Sequence, residues 1–130
     1  MASIRDVMRT EPLVKAKPDD SVFKAVTLMH ENNVGSVLVV DNEGRLVGIF
    51  TERDLVHIVA ERRSLDTRLE EVMTRKLVTA SPDESLAIVA SRMIEHGIRH
   101  IPVVDSEGRP IGVVSIRDLL RHVIASGSWP

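Results

Sequence analysis

Apolar residues along the chain alternate between two spacings, and the alternation occurs twice. Val22, Val26 and Met29 recur at helical intervals, as do Leu86, Val89, Ala90, Met93 and Ile94. Each run follows a Pro-Asp-x-Ser sequence, Pro18–Ser21 or Pro82–Ser85, a helix-start signal with early acids that suit the helix dipole. Each should end near Asn33 or Gly97, residues that tolerate a left-handed exit. Val37–Val40 and Ile101–Val104 then predict strands, and their continuous apolar character predicts burial on both faces. Leu46–Phe50 and Ile111–Val114 return across turns at Asn42-Glu43-Gly44 and Ser106-Glu107-Gly108, which predicts hairpins. A closing helix starts at Thr51 or Ser115 and carries Leu55, Ile58 and Val59, or Leu119, Leu120, Val123 and Ile124. Short helices at Ile4–Met8 and Leu69–Met73, with brief strands at Leu13–Ala16 and Leu77–Ala80, open the halves. The result is an α/β (α+β) pattern of two β-α-β-β-α units. One unit alone buries too little surface to be stable, so the two are expected to pack through their sheets as a pseudo-symmetric pair.

The duplication is explicit in the residues. Pro18-Asp19-Asp20-Ser21 returns as Pro82-Asp83-Glu84-Ser85, and Val39-Val40-Asp41-Asn42-Glu43-Gly44-Arg45 as Val103-Val104-Asp105-Ser106-Glu107-Gly108-Arg109. Thr51-Glu52-Arg53-Asp54-Leu55 returns as Ser115-Ile116-Arg117-Asp118-Leu119. These matches share an offset of 64 residues, and 15 of the 38 positions from Pro18 to Leu55 are identical in the second copy, too many for chance. Val7-Met8 and Val72-Met73 lie at offset 65, so the second copy is one residue shorter before its proline. The repeat divides the chain into residues 1–65, residues 66–126 and a tail of residues 127–130, expected to fray although Trp129 could anchor a partner.

Composition narrows the function. The chain has 130 residues, no cysteine and a net charge of −2, which leaves no disulfide framework, thiolate metal site or cysteine nucleophile. The acidic balance and the three aromatics, Phe23, Phe50 and Trp129, argue against a nucleic-acid binder, which needs phosphate-neutralising charge and stacking platforms. No apolar run is long enough to span a membrane, and Met1–Thr10 lacks a signal-peptide core, so the expected location is cytoplasmic. Glutamine is absent, there are three asparagines, and 13 of the 17 cations are arginine, a composition that points to a thermophilic source.

The sharpest chemistry is Thr51-x-x-Asp54 and its repeat Ser115-x-x-Asp118. A hydroxyl opening a helix, with a carboxylate three residues on, sits among free backbone N–H donors that favour a phosphate. A carboxylate has two acceptor oxygens, which suit the adjacent hydroxyls of a ribose. The same spacing is a capping-box signature that needs no ligand, so the residues alone leave both readings open. Arg53 and Arg117, on the same first turns, are placed either to meet phosphate oxygens or to face solvent.

With these motifs in order and in duplicate, the chain resembles a tandem pair of cystathionine-β-synthase (CBS) domains from Ile4 to about Ile124. The resemblance implies a stand-alone regulatory module that binds adenine nucleotides in clefts between its copies, with AMP foremost and ADP and ATP next. Asp54 and Asp118 match the family's ribose-binding aspartate. One implied site combines Thr51, Arg53 and Asp54 with Thr74, Lys76 and Leu77 and with Ile98, Arg99, His100 and Ile101. The other combines Ser115, Arg117 and Asp118 with Thr10, Pro12 and Leu13 and with Val34, Ser36 and Val37. Arg99 and His100 would favour extra phosphates at the first site, with Lys15 and Lys17 able to offset this at the second.

The resemblance implies a homodimer built on Leu55, Ile58, Leu119 and Val123, an energy-sensing role and a separate regulated protein, because no effector domain accompanies the module. No cofactor is expected; magnesium would enter only with phosphates. Rival readings are a ligand-independent oligomerisation scaffold and an S-adenosylmethionine binder, whose cationic sulfonium would make Arg53 and Arg117 dispensable. An enzyme is disfavoured, since no nucleophile-base set, P-loop or dinucleotide fingerprint is present. His96 and His100 have the spacing of helical metal ligands, but Gly97 interrupts the segment and no third ligand follows. Met8, Met29, Met73 and Met93 are read as core residues, and Gly48 and Gly112 as sites of close backbone approach.

Overall fold

The computed structural model describes residues 2–127; Trp129 and most of the tail lie outside them. In chain order the elements are α1 (Ile4–Val7), β1 (Lys15–Ala16), α2 (Val22–Asn32), β2 (Ser36–Val40), β3 (Leu46–Thr51), α3 (Glu52–Ala60), α4 (Leu69–Val72), α5 (Leu86–His96), β4 (His100–Val104), β5 (Pro110–Ser115) and α6 (Ile116–Ser126). Ser21 and Ser85 cap α2 and α5, accepting from the N–H groups of Lys24 and Ile88. Asn33 and Gly97 end these helices in the left-handed region, with φ of 52° and 63°. Both hairpins turn on an aspartate: Asp41 accepts from the N–H groups of Glu43 and Arg45, and Asp105 from those of Glu107 and Arg109.

The sheets show where the copies diverge. In the first, β1 runs parallel to β2, and β2 pairs antiparallel with β3. In the second, only β4 and β5 form a ladder, and the expected strand Leu77–Ala80 shrinks to a single parallel bridge between Ala80 and Val103. Proline accounts for the loss. The Leu38 N–H donates to the Val14 carbonyl at 3.0 Å, and the residue equivalent to Leu38 is Pro102, which has no N–H to give.

Residues up to Leu13 and from Val78 onward form one compact unit, and Val14–Leu77 form the other. Each opening helix therefore packs on the repeat that does not follow it directly. Ile4 and Arg5 donate their N–H groups to the carbonyls of Glu84 and Pro82, and Leu69 and Glu70 donate likewise to Asp20 and Pro18. Ile4 is fully buried with Ala80, Leu86, Val89, Met93, Ile101, Val103, Val114 and Leu119. Leu69 and Met73 are buried with Val22, Ala25, Val37, Val39, Phe50 and Ile58. This core explains two strand glycines. A Cβ on Gly48 would lie 2.5 Å from Met73 Sδ, and one on Gly112 would lie 2.8 Å from Met8 Sδ and 3.2 Å from the Arg9 carbonyl oxygen. Each methionine that follows an opening helix thus occupies space that a side chain on the strand would need.

Candidate functional site

The two helix heads carry the candidate chemistry. Thr51 ends β3 and caps α3, with Arg53 and Asp54 on the first turn; Ser115, Arg117 and Asp118 stand in the same places on β5 and α6. Asp118 is 8% exposed, and its Oδ2 accepts from the Ser115 N–H at 2.7 Å and the Ser115 hydroxyl at 2.9 Å. The Asp118 N–H in turn donates to Ser115 Oγ at 3.2 Å. Half-buried Asp54 places Oδ2 at 2.8 Å from the Thr51 N–H and 3.3 Å from Thr51 Oγ1. Both carboxylates therefore close capping boxes.

Capping occupies only one oxygen of each carboxylate. Asp54 Oδ1 accepts from the Thr74 hydroxyl at 3.0 Å, and Asp118 Oδ1 accepts from Arg121 Nη1 at 3.3 Å. An ionised carboxylate has about four acceptor positions, so three bonds leave room for one more. The outer partners are also open to solvent: Thr74 is exposed, and the Arg121 side chain is 69% exposed. Capping and ligand contact are thus compatible on the same side chain.

Two further segments are brought to each head within its own unit. Thr74 exchanges backbone hydrogen bonds with Ile49, which sets Thr74, Lys76 and Leu77 beside β3; Lys76 is exposed and Leu77 half-buried. The Gly35 carbonyl accepts from the Glu52 N–H at 3.2 Å, which brings Val34, Ser36 and Val37 to the head of α3. In the other unit Arg9 exchanges backbone bonds with Val113, carrying Thr10, Pro12 and Leu13 with it. There the Arg99 carbonyl accepts from the Ile116 N–H at 2.9 Å, and His100 pairs with Ser115, so Ile98–Ile101 flank the head of α6. Ser36 and Ile101 are buried, which limits their direct role to backbone atoms and cleft shape. His96 closes α5 whereas His100 begins β4, so the two do not share a helix face.

Other surface features fit less well. A recess of about 670 Å³ lies among Arg5, Pro82, Asp83, Glu84, Asp105 and Ile111. Its charges are already matched: Arg5 pairs with Asp83, Glu84 pairs with Arg92 at 2.6 Å, and Asp105 holds its own turn. The pairing to Arg92 also holds the Glu84 carboxyl below its ordinary range. Ile58 and Leu119, expected at a dimer interface, are 2% and 3% exposed and belong to the cores. Their helices turn them toward the sheet and leave Val56, Val59, Leu120 and Ile124 outside.

One residue escaped the sequence reading. Arg9 Nε is buried and has no hydrogen-bond partner among the described residues. The signal was present, because Arg9 stands opposite Thr74 at the offset of 65 that relates Met8 to Met73. It was obscured because most of the repeat runs at 64.

A duplicated α+β unit with a hydroxyl-x-x-aspartate head in each copy defines a class of paired small modules. The model of the CBS domain family matches residues 4–61 and 69–125, and the chain belongs to that family. It is 35% identical over 129 residues to the CBS domain-containing protein YhcV of Bacillus subtilis, spanning 98% of this chain and 90% of that protein. Among solved structures it is similar to the CBS domain pair of protein MJ0100 in complex with 5′-methylthioadenosine and S-adenosyl-L-methionine. That likeness has a TM-score of 0.89 and 29% identity over 98% of this chain and 99% of the other. It is also similar to CBS domain protein PAE2072 from Pyrobaculum aerophilum complexed with AMP, with a TM-score of 0.87 and 26% identity over 96% and 97% of the chains. None of the described helices is long and apolar enough to cross a membrane.

Proposed function

We propose that this chain is a regulatory module that binds an adenosine-containing ligand at the heads of α3 and α6, with AMP first among candidates and ADP and ATP next. The observation that carries the reading is the division of labour within each carboxylate. Oδ2 is fixed by its own helix cap, so Oδ1, which accepts from Thr74 or Arg121, keeps an acceptor position for a ribose hydroxyl. The remaining backbone donors and Arg53, Arg117, Arg99 and Lys76 supply positive character for phosphate, and magnesium enters only with a di- or triphosphate. The AMP complex of a relative with the same fold supports this choice. The complex of MJ0100 supports a second reading, S-adenosylmethionine or methylthioadenosine, which keeps the ribose contact and dispenses with the phosphate contacts.

Binding regulates only if the ligand prefers one conformation, and the output then belongs to a partner protein. An energy-sensing role and a cytoplasmic location belong to this reading. A homodimer does too, built on exposed Val56, Val59, Leu120 and Ile124 rather than on Ile58 and Leu119. Light scattering after size exclusion is expected to give twice the 14.4 kDa chain mass, and a monomer at micromolar concentration would remove the dimer. The functional test is calorimetry with AMP, ADP, ATP, S-adenosylmethionine and methylthioadenosine. Saturable binding of AMP is expected, tighter than that of either sulfur compound; no heat with any of the five leaves only a scaffold.

A further inference from the structure

We infer that Arg9 makes the Ser115–Asp118 head selective for phosphorylated adenosine ligands. The inference rests on the adenosine-binding reading and adds a residue that sets ligand class at one of its two heads. Three observations carry it. First, Arg9 holds the same place in its unit as Thr74 in the other: Arg9 pairs with Val113 as Thr74 pairs with Ile49, its equivalent. From that place the Thr74 side chain reaches the carboxylate at the head of its unit, with Oγ1 3.0 Å from Asp54 Oδ1. Second, the two places carry different chemistry, a short neutral hydroxyl in one and a long cation in the other. Third, Arg9 Nε is buried without a hydrogen-bond partner among the described residues, while Asp118 Oδ1 accepts from Arg121, whose side chain is largely exposed.

A buried unsatisfied donor carries a desolvation cost and calls for an explanation; a bound anion is one. The chemistry of arginine narrows the anion. Its planar fork matches the oxygens of a phosphate, and such charge-assisted bonds are about twice as strong as neutral ones. A ligand whose ribose lies on Asp118 carries its 5′ substituent within reach of neighbouring side chains. A phosphate there satisfies Arg9, whereas a bare hydroxyl or a cationic sulfonium does not. At the Asp54 head Thr74 donates to the carboxylate and provides no such discrimination.

The test compares AMP with adenosine, which share the base and ribose and differ in the phosphate. Wild type, Arg9→Gln and Arg9→Lys are titrated with each compound by calorimetry, with circular dichroism as a check of folding. Arg9→Gln is expected to weaken AMP binding at one site roughly tenfold or more and to change adenosine binding by no more than about twofold. Arg9→Lys should restore most of the AMP affinity. Equal losses for AMP and adenosine, or AMP binding unchanged in Arg9→Gln, would overturn the role of Arg9 and leave the adenosine reading standing. Wild type that binds neither compound defeats both.

Discussion

Ile4→Ala is expected to lower the unfolding free energy by about 3 kcal/mol, a typical cost of emptying a fully buried isoleucine site. The position of the damage is more informative than its size. Ile4 opens the first repeat in sequence, yet its neighbours are Ala80, Leu86, Val89, Met93 and Ile101 of the second. Hydrogen exchange followed by mass spectrometry should therefore show faster exchange in α5, β4 and β5, with α2, β2 and β3 less affected. Leu69→Ala should give the reverse pattern, because Leu69 is fully buried against α2, β2 and β3. Faster exchange in β2 and β3 on Ile4→Ala would contradict the exchange of opening helices between repeats.

The second large effect concerns the aspartates, where stability and binding must be kept apart. Asp118→Ala removes the acceptor of the buried Ser115 N–H and is expected to cost about 1–3 kcal/mol of stability whether or not a ligand exists. Asp118→Asn keeps an oxygen for the cap and removes the charge that a ribose hydroxyl would meet. It is expected to fold as the wild type does and to weaken adenosine-ligand binding at one site by about tenfold to a hundredfold, the range of a charge-assisted hydrogen bond. Asp54→Asn should do the same at the other site, and Asp54→Ala should cost less stability than Asp118→Ala, since Asp54 is less buried and its cap bonds are longer.

Much of this architecture was legible because hydrophobic period and repeat agreed. The helices from Val22 and Leu86 and the strands from Ser36 and His100 fall within a residue of the pattern's prediction, and the left-handed exits at Asn33 and Gly97 follow from residue type. Pairing across long sequence distance was harder to read. Nothing local in Ile4-Arg5-Asp6-Val7 states that the helix docks on Glu84 and Pro82, since its short apolar face would suit either repeat. The lost strand before Ala80 was readable in principle, from the proline at position 102 facing it. For the candidate site, the hydroxyl-x-x-aspartate spacing located both heads but left capping and ligand contact as alternatives. Geometry assigns the cap to one oxygen of each carboxylate and gives the other to Thr74 or Arg121. The apolar positions expected at a dimer interface included the buried Ile58 and Leu119, because a one-position rotation of an amphipathic helix exchanges Ile58 with Val59 and Leu119 with Leu120.

The most direct measurement is calorimetric titration of AMP into wild type, Asp54→Asn, Asp118→Asn and the double variant, each shown to be folded. Two binding events are expected in wild type, one lost or weakened at least tenfold in each single variant, and both in the double. AMP binding to the double variant with wild-type affinity and stoichiometry would show that these carboxylates only cap their helices.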